Sequence, residues 1–194
     1  MNRTIDVSTL PVGTHDSRSL IWWGNLGMMA IEGTMFALIG ATYFYMRASN
    51  LDWPPGTVLP SDLTLPAINL AILLLSLGAA ILADRGAQRK NVARVRAGLA
   101  LCVVAGLAFL VIRSVAMAHI GFTWSDHAYG SVIWTIVGLH TFHMIAATAE
   151  SALLLVYSLI RPMTTKQFLD VRCTEVYWYF VVLVWVPFFF IVWT

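Results

Sequence analysis

The stretch Ala128–Ile160, AYGSVIWTIVGLHTFHMIAATAESALLLVYSLI, decides the fold. It is long and apolar enough to cross a bilayer, for which about 20 apolar residues suffice. Yet it carries His140, His143 and Glu150. A helix turns by about 100° per residue, which sets His140, His143, Ala147 and Glu150 on one face. Polar side chains are costly in hydrocarbon, so that face should turn to protein, bound lipid or water.

The rest of the chain is of the same kind. Of 194 residues, 59% are hydrophobic and 11% charged. A soluble domain carries roughly a quarter charged residues. The composition excludes a soluble enzyme, and no nucleic-acid partner is expected. It predicts an all-α, polytopic membrane bundle. Further apolar runs at 20–46, 65–83, 97–118 and 176–192 join the span at 129–160, giving five spans. Residues 1–19 read as a polar arm, broken by Pro11 and Gly13. The arm lacks an apolar core, so no cleavable signal is expected before the first span. Cys102 and Cys173 form no Cys-x-x-Cys pair and offer no disulfide framework. Trp53, in the Trp53-Pro54-Pro55-Gly56 loop, suits an interfacial position.

Charge placement predicts orientation. Arg3, Arg18, Arg85, Arg89, Lys90, Arg94, Arg96, Arg161, Lys166 and Arg172 fall on one side of the five spans. Arg47 and Arg113 fall towards the other. The excess of basic residues marks the inner side, so the amino terminus is expected inside and the carboxyl terminus outside. Arg113, near the far end of its span, is expected to snorkel to the surface.

The polar groups within the spans are the candidate site. Glu32 interrupts the first span near mid-depth. It reads either as a carboxyl in a proton path or gripping a lipid headgroup or partner, or as a carboxyl hydrogen-bonded to a neighbouring helix. Gly33, Ala37 and Gly40, with Ala30 and Ala41, form a small-residue stripe that lets another helix dock closely. His140 and His143 are expected to face one neighbour. A metal site needs three or four ligands, and Glu150, two turns beyond His143, lies too far along the axis. The pair is therefore expected to bind a lipid headgroup or join a polar cluster rather than a metal. Counting about 1.5 Å per residue from each entry point puts His143 and Glu32 at similar depth, so a contact between them is expected. Glu150 is placed near the inner interface, and Asp126 and His127 in a solvated outer loop. No nucleophile, phosphate loop or metal set emerges. A small carrier, an assembly partner and an enzyme subunit all remain open.

Several stretches, taken in order, resemble subunit III of the haem-copper oxidases, the cytochrome c oxidase family. They are Glu32-Gly-Thr-Met-Phe36 with Tyr43-Phe44-Tyr45-Met46-Arg47; Trp53-Pro54-Pro55; Leu65-Pro66-Ala-Ile-Asn69; and Leu73-Leu-Leu-Ser76. Gly106 with Phe109-Leu110 follows, then Tyr129-Gly130-Ser131, Gly138, His140 and His143, and finally Tyr177-Trp178, Phe180-Val181 and Trp185. The resemblance covers residues 20–194 and looks like the family's short form, without the first two of seven helices. Arg113, Ala116 and Met117 depart from the usual Gln and Glu-Tyr, and Tyr179 and Val182 replace the usual His and Asp. The resemblance implies a non-catalytic subunit of a proton-translocating respiratory oxidase. Haem and copper would lie in partner subunits I and II, and structural phospholipid would be held by this chain. Glu32 would be the family's membrane glutamate, supporting proton uptake or touching lipid, and His140 and His143 its His-x-x-His pair. A bacterial inner membrane is the expected location, ahead of the mitochondrial one. The alternatives are an accessory subunit of a quinol oxidase or nitric oxide reductase and, from another class, a small transporter or proton channel.

Overall fold

The computed structural model describes residues 19–56 and 63–193. Five helices follow one another: α1 (Leu20–Ser49), α2 (Thr64–Gln88), α3 (Val92–Ala118), α4 (Ala128–Ile160) and α5 (Thr165–Trp193). All five are long and apolar enough to cross a membrane. No strand occurs among the described residues. The expected polar arm lies, Ser19 apart, outside the described residues. Ser19 itself caps α1, its hydroxyl accepting from the Trp22 amide.

Helices α2, α3, α4 and α5 close into a ring, each packed on the next and α5 back on α2. Helix α1 stands outside this ring, against α4 and α5. The tightest pair is α2–α3. Its turn uses Lys90 in the left-handed region (φ 52°), and the Asn91 side chain caps α3 by accepting from the Arg94 amide. Gly98 lets the two backbones meet. A Cβ there would lie 2.5 Å from the Ala83 nitrogen, a distance no side chain survives.

The helices outrun the apolar runs of the sequence, most of all α5. It begins at Thr165, well before the expected start at 176. The intervening KQFLDVRCTE is too polar to register as a span, yet one of its faces is apolar. Phe168 and Val171 pack with Ala83, Ala87, Val95 and Leu99 in a cluster at that end of the bundle. Arg172 pairs with Asp84 at 3.4 Å and lies over the Trp22 ring. The loop between α3 and α4 leaves Asp126 exposed, as expected, and its side chains bond to nearby backbone. The His127 Nδ1 accepts from the Gly130 amide to cap α4, and Asp126 accepts from the amide and hydroxyl of Thr123.

Candidate functional site

Helix α1 brings Glu32 against α4 and α5. The Glu32 Oε2 lies 3.7 Å from the His143 Nε2, so the expected contact is present. Both side chains are largely covered, at 18% and 6% exposure. The His143 Nδ1 sits 2.7 Å from the Leu139 carbonyl. A carbonyl oxygen only accepts, so Nδ1 carries the hydrogen and Nε2 is left facing the carboxyl. A bare Nε2 opposite a bare carboxylate would set lone pair against lone pair. At 3.7 Å the two side chains approach without a hydrogen bond, and the Glu32 Oε2 has no hydrogen-bond partner among the described residues. The Tyr177 hydroxyl of α5 faces the same carboxyl. One turn on from Glu32, Phe36 closes over His143, with ring centroids 5.0 Å apart, and meets Phe180 and Phe188 of α5.

Two hollows flank this pair along α1. Towards the α1 carboxyl end, a groove of about 480 Å³ is lined by Met35, Leu38 and Ile39 of α1 and Val132, Thr135 and Leu139 of α4. Towards the α1 amino end, a second hollow of about 530 Å³ is bordered by Asn25 and Met28, Glu150 and Leu153, and Asp170 and Cys173. The first is mainly apolar, with Thr42, Ser131 and Thr135 also in its wall, whereas the second carries two carboxylates. Glu150 is exposed at the rim of the second hollow and takes no part in the Glu32 contact.

The two histidines do not share a neighbour, contrary to the simple reading of their spacing. His140 points into the ring. Its Nε2 donates to the Val181 carbonyl at 3.1 Å, and its ring stacks on Trp185 with centroids 4.3 Å apart. A 60° difference in helical phase is enough to send one imidazole to α1 and the other to α5. Arg113 does not snorkel. It is 4% exposed, with its guanidinium 4.2 Å from the Trp185 ring centre and 4.9 Å from that of Phe109. Aromatic faces stabilise the cation where snorkelling would have carried it to water. The small-residue stripe splits as well. A Cβ on Gly33 would meet Phe180 at 3.7 Å and one on Gly40 would meet Phe188 at 3.5 Å, so these two glycines dock α1 on α5. Ala37 is exposed and takes no part in that contact.

Sequence reasoning missed Glu175, which is fully buried and lies 3.8 Å from the Cys102 sulfur. The signal was present in its spacing: Glu175, Trp178, Val182 and Trp185 repeat at three, four and three residues and form one buried face. Among the described residues, no three His, Cys, Asp or Glu side chains gather as a metal would need. His140 itself is held to a backbone carbonyl and covered by rings.

Comparison with known proteins accounts for the whole bundle. The family model for cytochrome c oxidase subunit III matches residues 14–194, which takes in every helix. The chain belongs to the cytochrome c oxidase subunit III family. It is 31% identical over 179 residues to cytochrome c oxidase subunit 3 of Schizophyllum commune, covering 85% of this chain and 65% of that one. Its likeness to the Myxine glutinosa protein of the same name is 29% over 134 residues, covering 69% and 51%. For that of Locusta migratoria it is 25% over 169 residues, covering 84% and 64%. The chain thus spans between half and two thirds of the length of these subunit III relatives.

Proposed function

We propose that this chain serves as subunit III of a haem-copper respiratory oxidase, a non-catalytic partner that steadies the catalytic subunit. The observation that carries this reading is the family match across all five helices. The complex would reduce oxygen to water and move protons, with haem and copper held by subunits I and II.

The part played by this chain is holding lipid and ordering α1. The apolar groove between α1 and α4 suits an acyl chain, and the carboxylate-bordered hollow at the other end suits a basic headgroup. Glu32 and His143 lie between the two, where the side chains of α1 and α4 approach to 3.7 Å. The amino terminus lies inside and the carboxyl terminus outside, following the distribution of basic residues. The membrane is the bacterial inner membrane, with the mitochondrial inner membrane as the alternative.

The test is isolation of the chain in a mild detergent, followed by an optical spectrum, subunit identification and lipid analysis. Haem absorption, subunit I and bound phospholipid are expected. A haem-free preparation of this chain alone, from lipid-based as well as detergent extraction, would overturn the reading.

A further inference from the structure

A second set of buried polar groups lies at one level of the bundle, apart from Glu32 and His143. Cys102 stands ten residues into α3, Glu175 ten residues into α5, and Thr148 and Ser151 twelve and nine residues before the end of α4. Since α4 runs opposite to α3 and α5, these positions share one level of the bundle. Cys102, Thr148, Ser151, Thr174 and Glu175 are all 5% exposed or less.

Most hydroxyls in this bundle return to their own helix. Ser114, Thr135 and Thr141 each donate to the carbonyl four residues back, as hydroxyls in apolar helices do. Thr148, Ser151 and Thr174 do not. Their oxygens, and the Glu175 Oε1, are buried with no partner among the described residues. Gly106 of α3 leaves space for the first of them. A Cβ there would lie 2.2 Å from the Thr148 Oγ1.

We propose that these groups bind ordered water, forming an internal hydration site between α3, α4 and α5. The chemistry selects water over other ligands. Three hydroxyls and a carboxyl oxygen need a partner that both donates and accepts, and a buried water with two to four polar neighbours is such a partner. A basic side chain does not fill the role, because the ion pairs among the described residues are Glu32–His143 and Asp84–Arg172. The charged groups that bear on Glu175 are the carboxylates Asp84 of α2 and Glu150 of α4. Tyr179, close to both Asp84 and Glu175, adds a hydroxyl on the α2 side. The site belongs to the bundle itself, whatever the chain assembles with.

X-ray radiolytic footprinting of the chain in lipid nanodiscs tests this, because radicals formed from bound water label the side chains beside it. Cys102, though fully buried, should be oxidised readily, and its rate should fall at least threefold in Ser151→Ala/Thr174→Val and in Glu175→Leu. Equal Cys102 rates in the wild type and in the hydroxyl-deleted variant would overturn the proposal. Should Glu175→Leu fail to fold, the hydroxyl-deleted variant, which keeps its carboxyl and its size, still decides.

Discussion

One buried hydrogen-bond chain links α5 to α2. The Trp178 Nε1 donates to the Ser76 Oγ at 2.9 Å, and that hydroxyl donates to the Leu73 carbonyl. Replacing Trp178 with Phe removes the donor to the Ser76 hydroxyl, which keeps its bond to Leu73, and leaves a void, so we expect a loss of about 2 kcal/mol. Reversible unfolding in detergent should show it, and an unchanged midpoint would count against the pairing. In the outer loop, two hydrogen bonds from Thr123 hold the Asp126 carboxyl below its ordinary value of 3.8. A lowered folded value stabilises the loop above the unfolded value and loses that effect as pH falls through the folded one. Asp126→Asn should therefore speed amide exchange at Thr123 at neutral pH, and the two proteins should converge under strong acid. At this scale the sequence disclosed the Glu32–His143 contact, because antiparallel depth is simple arithmetic. It concealed the fates of Arg113 and His140, because Trp185 of α5, which receives both, is far away in the chain.

The helices differ in how firmly they are held. In α1 the buried residues are Met29, Phe36, Gly40 and Tyr43, whereas α5 buries residues along nearly its full length. Helix α1 should accordingly be the first to show exchange or proteolysis in detergent, with the α2–α3 pair the last. A pair of glycine variants tests the packing of that pair. Gly98→Ala drives a methyl into the α2 backbone and should cost about 2 kcal/mol. Gly138→Ala meets nothing within 4 Å and should be neutral. Equal effects of the two would show that α2 and α3 do not meet backbone to backbone. The existence and order of all five helices were legible from hydropathy. The first turns of α5 were not, because a helix end rich in Lys, Asp and Arg resembles a loop until its apolar face finds α2 and α3.

For the whole molecule, the charge asymmetry across the five spans leads to the proposed topology, with the α2–α3 turn inside, and labelling can check it. A cysteine placed at Lys90 should react with an impermeant thiol reagent only from the inside, and one at Ser125 only from the outside. The reverse pattern would invert the bundle and with it the inner position of Arg172 and Asp84. In the proposed role, this chain preserves the oxidase complex while haem and copper sit in its partner subunits. The direct test is to delete the gene for this chain and purify the remaining oxidase. Its haem spectrum and initial turnover should be nearly those of the intact complex, while activity should decay several-fold sooner during sustained turnover. Restoring the chain as Glu32→Gln should recover only part of that lifetime. An oxidase whose spectrum, rate and lifetime are all indifferent to the loss of this chain would contradict the account.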